Sequence, residues 1–165
     1  MPRLVSTTDR LLIRLLQQNA RMSFAELSRV TGIPESTVRR RIERLQDRGI
    51  IRFAMIADAE QLGYEISAIV ALRIDLAHLH EIGANLAERS EVVFASFLTG
   101  GYDILAQVLV ESQPALVDLL VDIAAIEGVR SSETFLMPRV LKPLTAWVIP
   151  QPDIDPNDTD AADFG

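Results

Sequence analysis

Arg39, Arg40 and Arg41 stand in a row, with Arg44 and Arg48 following, so that five arginines fall within ten residues. A guanidinium can fork two N–H donors onto guanine O6 and N7, and it also neutralises phosphate. Ser36 and Thr37 come just before, where hydroxyls and open N–H groups in the first turn of a helix can hold phosphate oxygens. Read as a helix, Val38, Ile42 and Leu45 make one buried stripe. Ser36, Arg39, Arg40, Glu43 and Asp47 fall opposite it, with Thr37 near the edge. Arg39 and Arg40 are therefore the candidates for base edges. Arg41 lies nearer the apolar stripe, which favours a structural or phosphate role, and Arg44 and Arg48 suit the backbone field or internal ion pairs. The plainer alternative is a solvated helical hairpin, but such faces usually mix signs and this one is lopsided.

A second group is Thr99-Gly100-Gly101-Tyr102-Asp103. Between two apolar runs it is a hairpin turn in any case. Two glycines also allow a ligand to approach backbone N–H groups closely. The Asp103 carboxylate could accept from an ammonium, and Tyr102 could close the pocket. Ser132 and Thr134, further on, are weaker candidates for the same pocket. Enzyme chemistry finds less support: His78 and His80 are the only histidines, they sit at a helix start, and no partner cluster surrounds them. No phosphate-binding loop, dinucleotide glycine pattern or H-E-x-x-H occurs. With no cysteine there is no disulfide, thiol nucleophile or cysteine-ligated zinc. No cofactor and no metal are expected.

The elements that must position these residues follow from local signals. Ser6 with Asp9 (S-x-x-D) opens a helix over about 7–18, with Leu12, Leu15 and Leu16 as core stripe and Leu11 and Ile13 widening it. Ser23 with Glu26 forms a capping box, so a second helix starts at Phe24, and Gly32 ends it. Pro34 and Glu35 fit the first turn of a third helix, which Gly49 stops. This is a helix-turn-helix whose last helix enters a DNA major groove. The apolar residues 50–57 read as the start of a wing or of a linker strand over 53–64. From residue 65 the period changes to 2: a strand, a helix over about 79–89, strands at 92–98 and 102–111, a helix over about 114–126 and a strand at 129–136. The order β-α-β-β-α-β predicts a ferredoxin-like four-stranded antiparallel sheet with both helices on one face. The other face holds residues such as Ile69, Phe97, Leu105 and Leu109 or their apolar neighbours, and a second subunit is the simplest cover for it. Residues 144–149, with Trp147, are expected to extend or cross that dimer sheet. Residues 150–165 contain five aspartates and no basic residue, and are expected to be disordered, as the first five residues are.

Charge divides along the chain in the same way. Residues 1–52 carry 11 arginines against 5 acids, a net +6, whereas 53–165 carry 5 basic residues against 18 acids, a net −13; together these return the −7 of the whole. A basic DNA-reading module thus precedes an acidic one with another task. Apolar content of 48% is ample for packed cores. No apolar run is long enough to cross a bilayer, and no signal peptide is recognisable, so a cytoplasmic protein without membrane partners is expected.

Together these stretches resemble the Lrp/AsnC ("feast or famine") family of bacterial and archaeal transcription regulators. The likeness covers about residues 5–149 and rests on DRLLIRLLQQNAR (9–21), AELSRVTGI (25–33), STVRRRIERLQDRGII (36–51), LGY (62–64), TGGYDI (99–104) and GV (128–129). It implies a winged helix-turn-helix over 1–52, a linker strand over 53–64 and an αβ-sandwich effector domain over 65–149. It further implies binding of double-stranded DNA, a homodimer that often assembles to an octamer, and an amino acid or related small molecule bound between effector domains near Thr99, Gly100, Gly101, Tyr102 and Asp103. One departure is Pro34, where the family usually has serine: Pro34 either occupies the first helical position or the helix begins differently. Two other readings remain: an architectural, nucleoid-associated DNA-binding protein, and a tetrapyrrole decarboxylase, since a few of those resemble the family's fold.

Overall fold

The computed structural model describes residues 5–143 and 146–150. Its chain divides into two units, one running to Met55 and taking back the chain from Lys142 on, the other holding Ile56–Leu141. The expectation of a disordered tail concerns residues that, after Pro150, lie outside those described.

The first unit is built on three helices, α1 (Thr7–Gln18), α2 (Phe24–Thr31) and α3 (Glu35–Asp47). Both serine signals act as caps. Ser6 Oγ accepts the Asp9 N–H at 3.1 Å, and Ser23 and Glu26 exchange both bonds of a capping box, at 3.2 and 2.7 Å. The Ser23 backbone N–H holds the Glu26 carboxyl below its ordinary value. Gly32 adopts φ +73°, the left-handed conformation that lets the chain leave α2 and turn into α3. Leu12, Leu16, Leu27, Val38 and Ile42 form the core between the helices. Residues 51–58 have no regular structure, and Glu60–Leu62 is a single 3-10 turn, so no linker strand forms here. Phe53, Met55 and Ile56 are exposed: a strand needs a neighbour to satisfy its N–H and C=O groups, and this stretch finds none among the described residues.

The second unit follows the expected order: β1 (Ile66–Ile74), α4 (Leu79–Glu88), β2 (Val92–Phe97), β3 (Ile104–Val110), α5 (Gln113–Ala124) and β4 (Val129–Leu136). The strands lie as β2-β3-β1-β4, every neighbouring pair antiparallel. Ala68, Val70, Leu72 and Ile74 of β1 and Ile104, Val108 and Val110 of β3 pack on Ile82 and Leu86 of α4 and Leu116, Leu119 and Ile123 of α5. Both helices therefore cover one face. Ile69, Leu105 and Leu109 point to the other, as expected, but Phe97 does not. It pairs with the buried Ile104, and its ring lies 5.8 Å from that of His80, against α4. A register shift between Val92 and Phe94 changes the side of β2, so Phe94, opposite Gln107, joins the open face instead.

Two glycines are packed against rings. A Cβ at Gly83 would lie 2.8 Å from the end of the Phe97 ring, and one at Gly128 would lie 2.8 Å from His78 Cβ and Cγ, at φ +90°. The half-exposed Phe97 ring can swing away, whereas the base of His78 cannot. Gly128→Ala should therefore cost about 1–3 kcal/mol of second-unit stability through overpacking and strain, and Gly83→Ala clearly less. Urea unfolding of both variants measures the difference, and equal losses would contradict it.

Candidate DNA-binding and effector sites

In the first unit, α3 starts from Pro34 as N-cap, so Pro34 is outside the helix and Glu35 is its first residue. Proline offers no side-chain acceptor, and its carbonyl takes the Thr37 and Val38 N–H groups at 2.9 and 3.0 Å. The start of the helix, with exposed Ser36 and half-buried Thr37, remains open to an anion. Arg39 and Arg40 are exposed on the outer face, as their spacing predicted. Arg39 is also held: its guanidinium lies 4.6 Å from the centre of the Phe24 ring and 3.7 Å from Glu35. A pre-set arginine loses less freedom on contact than a loose one.

Arg41 is buried, in keeping with its place near the apolar stripe, and its Nη1 donates to Asp9 Oδ1 at 3.0 Å and to Ser6 Oγ at 3.2 Å. Arg44 reaches the other Asp9 oxygen at 3.2 Å, with its side chain 39% exposed, so it serves the same internal network. The sequence reading used Asp9 only as a capping partner. Its real place could have been seen from spacing: Asp9, Leu12 and Leu16 share one stripe, so a carboxylate on the buried face of α1 requires a cation opposite.

In the second unit, the turn residues Thr99, Gly100 and Gly101 are exposed, and Tyr102 is drawn over the open face of the sheet. The Tyr102 hydroxyl donates to Glu133 on β4, and the Arg73 guanidinium of β1 stacks 5.2 Å from the tyrosine ring centre. Arg73 and Glu133 were not singled out from sequence, because only strand register brings them to Tyr102. Asp103 Oδ2 accepts the Ile74 N–H at 2.9 Å and its own N–H donates to Leu72 O, so the residue ties the start of β3 to the bulged end of β1. Thr134 pairs with the buried Val70 and Ser132 with Leu72, which puts both on the helix side of the sheet, away from Tyr102 and Glu133. No group of three or more His, Cys, Asp or Glu able to hold a metal occurs among the described residues.

Two family models match the chain in the same order: a winged helix-turn-helix DNA-binding domain over residues 5–52 and an Lrp/AsnC ligand binding domain over 67–147. The chain belongs to the Lrp/AsnC family. It is 38% identical over 136 residues to an HTH-type transcriptional regulator of Pyrococcus furiosus, covering 81% of this chain and 92% of that one. It is 31% identical to the regulatory protein AsnC of Escherichia coli, covering 81% and 90%. The solved structure of Escherichia coli AsnC superposes with a TM-score of 0.79 at 28% identity, covering 86% and 99%. A transcriptional regulator of Neisseria meningitidis, solved as a complex with L-Met, gives 0.80 at 25%, covering 87% and 96%. As an Lrp/AsnC-type protein the chain is a DNA-binding transcriptional regulator with a ligand-binding domain. Among the described residues no helix is long and apolar enough to cross a membrane.

Proposed function

We propose that this Lrp/AsnC-family chain binds specific sites in double-stranded DNA, and that an amino acid or related small molecule alters its assembly or its affinity for them. The observation that carries the first half is the sorting of the α3 arginines. Asp9 takes Arg41 and Arg44 inward, which leaves Arg39 and Arg40 as the outward pair. The second half rests on Arg73, Tyr102 and Glu133, which set a guanidinium and a carboxylate about one phenol ring, complementary to the carboxylate and ammonium of an amino acid. The L-Met found in the Neisseria meningitidis regulator supports that ligand class. Thr99, Gly100 and Gly101 supply the turn beside it, and Asp103 holds that turn to β1. The open sheet face, with Phe94 and Phe135 43% and 46% exposed, is the surface for a homodimer, which assembles further to an octamer. Its place of work is the cytoplasm, on the nucleoid, and it acts without catalysing a reaction.

A gel shift on the gene's own upstream DNA with a panel of amino acids tests this reading. One or a few amino acids should change the affinity or the size of the complex. Tyr102→Ala and Glu133→Ala should lose that response by tenfold or more, while binding DNA as the parent does. A response that survives both variants would move the ligand elsewhere. Discrete protected segments in a footprint would support site-specific binding, and uniform protection would favour architectural wrapping.

A further inference from the structure

The capping box of α2 does more than open a helix. It fixes Phe24 as the first helical residue, and the ring lies half-buried, packed against the core of the first unit. Over that ring stands the Arg39 guanidinium of α3, its carbon 4.6 Å from the ring centre. A contact to the π face uses no N–H. Glu35, one turn earlier on α3, lies 3.7 Å from Arg39 Nη2, outside hydrogen-bond reach, so it acts by charge alone. Among the described residues no hydrogen bond engages the Arg39 donors. A ring and a charge thus orient the fork while its donors stay available, with the side chain 54% exposed. A surface ion pair at i and i+4 would account for Glu35 and Arg39 alone; the aromatic face supplied by α2 is the additional observation.

We propose that Phe24 and Glu35 are the positioning residues for base recognition, directing the Arg39 fork onto a guanine edge in the major groove and away from phosphate. The proposal rests on the DNA-binding reading above and adds what sets its selectivity. Phe24 supplies orientation. A guanidinium reads guanine only when two of its N–H donors meet O6 and N7 in one plane. A phosphate, with its charge spread over two free oxygens, is neutralised by a cation at many angles. Restricting the guanidinium before contact therefore favours the base over the backbone. An exposed arginine left to itself samples many rotamers, and ordering it on contact costs affinity. Because the ring belongs to α2 and to the packed core, it does not swing with the arginine it supports. Glu35 supplies a penalty. Its carboxylate, 51% exposed at the first position of α3, repels a phosphate approaching Arg39. Random duplex offers Arg39 mainly phosphate, so the repulsion falls hardest on the wrong partner.

The test compares affinities of the full chain for a footprinted upstream site and for random duplex. Phe24→Leu keeps an apolar side chain on α2 but removes the π face. It should weaken binding to the site by about 2- to 12-fold, the value of ordering one long side chain, and leave random duplex nearly unchanged. Phe24→Tyr keeps the face and should bind both as the parent does. In an Arg39→Ala background, Phe24→Leu should have no further effect. Glu35→Gln should tighten random duplex by about 2- to 5-fold and the site less, so that discrimination falls. Replacing the guanines of the site one at a time by 7-deazaguanine, which lacks the N7 acceptor, should weaken the parent at a position that Arg39→Ala ignores. Equal losses on site and random duplex in Phe24→Leu, a loss shared by Phe24→Tyr, or a loss that persists without Arg39 would make the ring a packing residue and overturn the proposal. Unchanged affinities in Glu35→Gln would remove the carboxylate from it. A parent that did not distinguish site from random duplex would sink the specific-DNA reading itself. NMR of the free protein separates the two failures: the Arg39 Nε–H should be more ordered in the parent than in Phe24→Leu, and equal order would show that the ring does not hold the fork.

Discussion

Replacing Asp9 with alanine is expected to lower the stability of the first unit by about 3 kcal/mol, the lower end of what loss of one partner in a buried ion pair costs. The lower end applies because Arg44 can turn back to water, with 39% of its side chain exposed, whereas Arg41, at 11%, keeps only the Ser6 hydroxyl. For a helical unit of this size, that loss corresponds to a fall in Tm of roughly 12 °C or more. Asp9→Asn, which keeps an acceptor but not the charge, should lose less. Changing Asp9 and Arg41 together to leucine and methionine should recover much of the loss, since apolar side chains of similar volume replace buried pairs well. Calorimetry of the set measures this. If Asp9→Ala unfolded with the parent, the carboxylate would not be what joins α1 to α3. The effect should extend to DNA binding, because Asp9 sets how α3 presents its outer face.

The second large effect belongs to that face. Arg39→Ala and Arg40→Ala should each weaken binding to a specific site by about 1–3 kcal/mol, a factor of roughly 5 to 150. Binding to unrelated duplex should fall much less, since only one phosphate-range cation is lost. Arg39→Lys should be nearly as harmful as Arg39→Ala, because an ammonium can neither fork onto a base edge nor stack as flatly on Phe24. The oligomeric state should be the same in these variants as in the parent. Competition assays with specific and random duplexes separate the two terms, and unchanged specific affinity in both alanine variants would remove these arginines from the readout.

Helix starts and strand order were legible in the sequence because they are set by neighbours in the chain. Ser6 with Asp9, Ser23 with Glu26, and the change of period after residue 65 all report within a few residues of themselves. What stayed hidden depends on contacts between elements. One shifted residue in β2 exchanged Phe97 for Phe94 on the open face, and no alternation pattern records a bulge. Asp103 has the chemistry of a ligand contact, and the strand N–H that its Oδ2 also accepts is brought there by register alone. Arg73 and Glu133 are unremarkable on their own strands and gain meaning only from the register that sets both beside Tyr102. The bonds of Gln17 to the Trp147 carbonyl and the Ile149 N–H likewise join residues more than a hundred positions apart, which no local pattern records.

The central claim is that the cationic first unit grips a duplex through its phosphates while Arg39 and Arg40 read it. Its most direct test is the affinity for upstream DNA measured across a salt series. Neutralising four or more phosphates predicts a log–log slope steeper than about −3, from roughly −0.9 per phosphate contact. No retention of duplex at low ionic strength, or an affinity indifferent to salt, would contradict the account.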